Sequence, residues 1–177
     1  MKRAIVALLL VLPLSAFAQG YVGIGFGQTT ADFTDCSIST TCDDTDTGFK
    51  IFGGYRFNQN FAVEGGYADF GESTFSIPGF ASGTADANTL FVHAVGIIPI
   101  NPQWSVYGKA GLHLWDANES GQILGAPFSE SDDGTDLTFG FGVQGNFGQF
   151  AVRLEWETYD LDDADVQFLG VSGIIRF

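Results

Sequence analysis

Basic residues are scarce in this chain. Against 21 Asp and Glu there are 7 Lys and Arg and 2 His, for a formal net charge of −14. A deficit of that size excludes nucleic acid, and equally an anionic membrane surface, as a simple electrostatic partner. Long apolar runs are also missing beyond the first residues. No later stretch approaches the roughly 18 apolar residues a spanning helix needs, so no helical membrane span is expected. Helix-like sequence is almost absent as well. What is abundant instead is glycine (24) and phenylalanine (18), and glycine is a poor helix residue that eases strand curvature and close packing. Cysteine is limited to Cys36 and Cys42. No His or basic residue lies near them to make a metal ligand set or an activated thiol.

The start of the chain stands apart. Met1, Lys2 and Arg3 form a basic n-region, Ala4 to Leu12 is continuously apolar, and Ala16, Phe17 and Ala18 supply an A-x-A cleavage pattern. Residues 1–18 therefore read as a cleaved secretory signal peptide, leaving 19–177 as one domain. An exported chain meets an oxidising compartment, which predicts a local Cys36–Cys42 disulfide stiffening a loop tip.

Within 19–177 the hydrophobic period is two. Val22, Ile24 and Phe26 alternate with Gly23, Gly25 and Gly27; Phe49, Ile51 and Tyr55 with Lys50, Phe52, Gly54 and Arg56; Phe61, Val63 and Tyr67 with Glu64, Gly66 and Ala68. The scheme recurs at Trp104–Trp115, with Val106, Leu112 and Leu114 opposite Tyr107, Lys109 and His113. At Asp136–Phe147 it sets Leu137, Phe139, Phe141 and Val143 against Thr138 and Gln144. In the closing stretch from Phe150, Val152, Leu154 and Trp156 alternate with Arg153, Glu155 and Glu157. The stretch 87–98 is apolar on both faces, so its register is open. Eight strands of about 9–11 residues, each long enough to cross a bilayer at a tilt, are predicted. Long polar connections are expected at 29–46, 71–86 and 116–134. They alternate with brief turns at 58–60, 99–103 and 146–149, the arrangement of bacterial barrels with short periplasmic turns and longer external loops. Tyr55, Phe57, Phe61, Trp104, Phe147, Phe150 and Phe177 would form an aromatic girdle at the short-turn end.

A soluble lipocalin-like barrel would carry its apolar residues inside. The charges decide against it. Every Lys and Arg after the leader (Lys50, Arg56, Lys109, Arg153, Arg176) falls opposite the Val/Ile/Leu/Phe face, as expected where a lipid-facing Arg or Lys costs about 2–4 kcal/mol. The fold class read from the residues is all-β: an eight-stranded antiparallel up-and-down transmembrane β-barrel with an inner ion-pair network.

Taken in order, VEGGY at 63–67, SVYGKAG at 105–111, RLEW at 153–156 and the closing GVSGIIRF at 170–177 resemble the OmpA-like transmembrane barrel family. The resemblance covers essentially all of 19–177. It implies an outer-membrane location in a Gram-negative bacterium, surrounded by membrane lipid and lipopolysaccharide. It also implies a terminal Phe177 acting as a signal to the barrel assembly machinery. In the family a lumen network plugs the barrel, and exchange of partners has been proposed to gate it. Glu64 and Arg153 match the central pair, and Glu155 and Lys109 match further inner charges. Val95 stands where the family has a lysine and Gln144 where it has a glutamate, so a fixed plug of Glu64, Arg153 and Glu155 is expected rather than a gate. Larger family members append a peptidoglycan-binding domain, which is not expected in a chain ending at Phe177.

Catalysis is not expected. His93 and His113 face inward, no Ser lies within two residues of either, and Asp116 is the acid near His113. Gly170 to Gly173 is not G-x-S-x-G, and the Gly23, Gly25, Gly27 series opens no helix. The acidic runs at 43–46 and 160–163 lack the spacing and bidentate Glu of a calcium loop and read as solvated surface. No cofactor, no metal and no nucleic acid are expected, and a monomer is. The function expected is a structural, envelope-integrity role, with a small-solute channel and adhesion through the acidic loops as alternatives.

Overall fold

A strand with one lipid-seeking and one polar face needs partners on both edges, and in a bilayer a sheet obtains them by closing on itself. The computed structural model describes residues 19–33, 41–43, 45–77, 79, 81–161 and 164–177. The leader at 1–18, Cys36 and Asp44, Asp162 and Asp163 lie outside the described residues, and of Cys42 only the backbone is described.

The described residues form β1 (Gly20–Phe33), β2 (Thr41–Asp43), β3 (Thr45–Arg56), β4 (Phe61–Ile77), β5 (Ala81–Pro99), β6 (Trp104–Ile123), β7 (Ala126–Phe147), β8 (Phe150–Leu161) and β9 (Ala164–Arg176). Eight of them are barrel staves, in the order β4-β3-β1-β9-β8-β7-β6-β5, closed by the pairing of β5 with β4. All pairings are antiparallel. The short β2 adds a flap along Thr74–Ser76 of β4.

Burial follows the alternation. Ile24, Leu90, Leu112, Phe141, Leu154 and Val171 lie on the exposed outer face, and Phe52, Phe91, Tyr107 and Phe168 lie inside. A belt of exposed large apolar residues running round the whole barrel has no place in water and is the lipid-facing surface. The open register at 87–98 is resolved with Phe91, His93, Val95 and Ile97 inward and Leu90, Val92 and Ile98 outward.

The expected polar connections at 71–86 and 116–134 are corrected. There β4 continues to Ile77 and β5 starts at Ala81, while β6 continues to Ile123 and β7 starts at Ala126. Apolar alternation stops where lipid stops, but backbone groups still need partners, and the ladder supplies them in water as well. The β6–β7 hairpin closes through Leu124 (φ 51°) and Gly125 (φ 82°), the double positive φ of a type I′ turn.

At the other end the turns are short and held by asparagine. Asn58 Oδ1 accepts from the amides of Asn60 (2.8 Å) and Phe61 (3.0 Å). Asn101 Oδ1 does the same for Gln103 and Trp104, both at 2.9 Å. Side-chain carbonyls that satisfy turn amides are the reason asparagine marks these reversals. Phe57, Phe61, Trp104, Phe147, Phe150 and Phe177 are exposed around this rim.

Candidate functional site

Eight staves enclose a bore that side chains just fill, so the site is the lumen itself. It is layered. Toward the long-hairpin end, Tyr159 is fully buried against Phe70 (ring centroids 4.8 Å) and His113 (5.3 Å). His113 Nε2 donates to the Asp160 carbonyl at 2.9 Å, and Nδ1 lies 3.0 Å from the Thr89 hydroxyl. His93 stacks on Phe91 at 4.6 Å, and its Nε2 lies 3.4 Å from the Thr138 hydroxyl. These partners are a backbone carbonyl, threonine hydroxyls and aromatic rings.

Below that cap sits a four-membered cluster. Lys50 and Lys109 each pair with both Glu155 and Glu157; the contacts to Glu155 are 2.9 and 3.1 Å, and those to Glu157 are closer still. Tyr107 donates to Glu155 at 2.9 Å, Ser172 also donates to Glu155, and Tyr159 donates to Glu157. Nearer the short turns, Arg153 Nη1 donates to Glu64 at 2.5 Å and its Nε to Gln144 at 2.8 Å. Tyr21 donates to the same Glu64 oxygen at 2.7 Å. The guanidinium lies 4.6 Å from the Tyr107 ring centroid and 5.5 Å from that of Phe52, a cation–π setting.

Glycines make room for these donors. A Cβ at Gly142 would sit 2.7 Å from the Tyr107 hydroxyl, and one at Gly54 would collide with the Tyr21 ring. Removing the Cβ opposite each tyrosine lets its hydroxyl reach a glutamate across the bore.

The structure brings Glu64 and Arg153 together, and Lys109 and Glu155 together, in two separate groups. Arg153 was expected to share a plug with both Glu64 and Glu155. Instead, Glu155 is held by Lys50, Lys109, Tyr107 and Ser172. Lys50 and Glu157 complete the four-membered cluster and were not among the residues carried by the family resemblance. Their inward alternation was the available signal. Val95 is buried opposite Lys109 in the β5–β6 register, and Gln144 is a neutral member of the Arg153 group. Phe177 ends the barrel, its amide bonded to the Gly20 carbonyl at 3.0 Å. Among the described residues His113 and Asp116 share no hydrogen bond; the bonds of His113 go to Thr89 and Asp160.

A closed antiparallel barrel with an apolar belt and a lumen of buried charge defines the class of small outer-membrane barrels. This chain belongs to the outer membrane protein beta-barrel domain family, whose description matches residues 4–177, and its location is the outer membrane of a Gram-negative bacterium. Among solved structures it is similar to Ail, the attachment invasion locus protein of Yersinia pestis, with 25% identity over 89% of this chain and 97% of that one, TM-score 0.63. Neisserial surface protein A shares the fold at 15% identity, over 90% and 97% of the two chains, TM-score 0.62. So does OprG of Pseudomonas aeruginosa at 15% identity, over 93% and 100%, TM-score 0.56. No curated protein sequence matches the chain.

Proposed function

We propose that this protein is a closed structural barrel that contributes to outer-membrane integrity and does not conduct. The burial of the lumen charges carries this reading: Lys50, Glu64, Lys109, Arg153, Glu155 and Glu157 are each at most 4% exposed. A passage for solute needs water along its length, and here each charge is engaged by a neighbour of opposite charge. Glu64, Lys109, Arg153 and Glu155 act in this reading as a fixed plug, with Lys50 and Glu157 as its further members. The protein performs no catalysis and holds no cofactor. Residues 1–18 are removed on export, Cys36 and Cys42 are joined by a disulfide, and Phe177 is read by the assembly machinery. The mature barrel sits as a monomer among lipid and lipopolysaccharide.

A strain lacking the protein tests the role. Its outer membrane should admit large hydrophilic antibiotics and detergents that the parent excludes, and the chain supplied in trans should restore exclusion. Unchanged sensitivity would remove the envelope role.

One observation favours a second reading, contact with another surface. The β4–β5 and β6–β7 hairpins run well past the apolar belt, and β6–β7 carries Asp116, Glu119, Glu130, Asp132 and Asp133. A Yersinia pestis Ail structure holds the heparin analogue sucrose octasulfate. Acidic hairpins would repel such a polyanion, so a contacting partner here is basic. Shortening the β6–β7 hairpin should abolish binding of a basic protein surface if this reading holds, and leave it unchanged if it does not.

A further inference from the structure

The plug is electrically closed, and the mouth below it is not. Lys50 and Lys109 face Glu155 and Glu157, and Arg153 faces Glu64. Arg56 and Arg176 remain, both inward-facing and half-buried at the short-turn end. Among the described residues neither forms an ion pair. Arg176 donates to Asn146 Oδ1 at 2.9 Å and to the Gly148 carbonyl, both neutral acceptors. The neutrality runs inward: Gln144 Nε2 donates to the same Asn146 oxygen at 2.6 Å, and Gln144 Oε1 accepts from Arg153. Among the described residues, every acceptor along this chain of bonds is a neutral amide or carbonyl.

The two arginines line a common cavity of about 340 Å³ with Gln59, Asn101, Asn146 and Ser105. An adjoining cavity of about 390 Å³ shares Arg56, Gln59 and Arg176 and reaches Tyr21 and Phe177. Ser105 supplies a second, independent observation. It is 3% exposed, and among the described residues its hydroxyl has no hydrogen-bond partner. A buried hydroxyl without a partner carries a desolvation cost that a ligand atom in the cavity would relieve.

We propose that the short-turn mouth of the barrel is an oxyanion site, in which Arg56 and Arg176 clamp a phosphate group and the Ser105 hydroxyl donates to it. Guanidinium forks match tetrahedral oxyanions in geometry as well as charge. Short turns of bacterial barrels face the periplasm, so the ligand arrives from that side, either as a soluble phosphate or as the phosphate of an inner-leaflet lipid headgroup. The plug above makes this a site of retention and not a stage of passage. The site stands on the mouth geometry and does not require the envelope role.

The test uses the folded mature barrel in zwitterionic nanodiscs, titrated with inorganic phosphate while the arginine Nε–H and backbone amide resonances are followed by NMR. Sodium chloride at matched ionic strength is the control. Saturable shifts at Arg56, Arg176 and the Ser105 amide are expected with phosphate and not with chloride. Arg56→Gln should weaken the apparent affinity about tenfold, and the Arg56→Gln/Arg176→Gln pair should abolish saturation. Ser105→Ala, a small change unlike the arginine pair, should weaken it severalfold while leaving the unheated gel mobility of the barrel unchanged. Repeating the titration in phosphatidylglycerol nanodiscs assigns the source. A reduced phosphate affinity there means the headgroup competes for the clamp, and an unchanged one means the soluble anion is the occupant. Shifts that are linear in ionic strength and equal for the two salts overturn the site, as do saturable shifts that persist in the double variant.

Discussion

Arg153 and Glu64 are 89 residues apart in sequence and bonded at 2.5 Å in the lumen. Pairs of this kind hold a narrow bore together at a cost. Burying either charge alone is expensive, so losing one partner hurts more than losing both. Glu64→Leu or Arg153→Leu should each destabilise the barrel by about 3–5 kcal/mol in urea unfolding, read by the loss of heat-modifiable gel mobility. The double Leu variant should recover most of that loss, because no buried charge is left without its partner. Equal losses in single and double variants would mean the pair is solvated and not part of a dry plug. Which residues face inward was legible in the sequence, since a period of two puts Lys50, Lys109, Arg153, Glu155 and Glu157 on one side of their strands. Which of them touch was not. Lys50 and Glu157 are 107 residues apart on β3 and β8, and their meeting depends on how the staves are staggered on closure, a property no single strand carries.

The strands outrun the membrane, and their composition says where. Leu137 on β7 is exposed beside Leu112, its partner on β6, and both lie within the apolar belt; Ser129 on the same strand pairs with Ser120 in the projecting hairpin. Leu137→Arg should cost about 2–4 kcal/mol if it faces the lipid midplane and less toward the interface. Ser129→Arg should stay within about 0.5 kcal/mol, as surface changes do. Equal costs would move the lipid boundary. On the same outer side, Asp46 on β3 bonds to β4, a staple beside the place where the β4–β5 ladder slips. Its carboxylate accepts from the amides of Thr47 and Glu72, both at 2.7 Å, next to the break in register between Asp69 and Glu72. Those two donors hold the Asp46 carboxyl below its usual range. A depressed folded-state value means the staple is present above the ordinary carboxylate range and lost as pH falls through the lowered value. Hydrogen exchange at the Glu72 amide, corrected for its intrinsic pH dependence, should therefore lose protection on acidification, and Asp46→Ala should remove that dependence. Full protection at low pH would show that the carboxylate does not anchor the bulge. None of these outer strand lengths could be read from residues, because where both faces are wet the apolar period vanishes while backbone pairing continues. The 87–98 strand was obscured for the opposite reason: Phe91, Val95 and Ile97 make its inner face as apolar as its outer one.

At the scale of the molecule, the closed sheet and its narrow bore follow from the same count. Eight staves leave a bore that residues can fill, and this chain fills it with a neutral set of three cations and three carboxylates, capped outward by aromatic rings. Val95 and Gln144 keep charge out of two further lumen positions. The fold class was legible because lipid and lumen impose opposite chemistry on alternate residues throughout the chain. The separation of the lumen into two ion-pair groups, and the meeting of Arg56 and Arg176 at one cavity beneath them, were not, since both depend on contacts across the barrel. Single-channel recording in planar bilayers tests the closed plug most directly. The folded wild-type protein is compared with a Glu64→Ala/Arg153→Ala/Gln144→Ala variant, whose lumen is hollowed on the mouth side. Wild-type protein inserted at densities confirmed by gel mobility should give no discrete conductance steps at physiological salt and moderate voltage; discrete, reproducible steps from it would contradict a closed barrel.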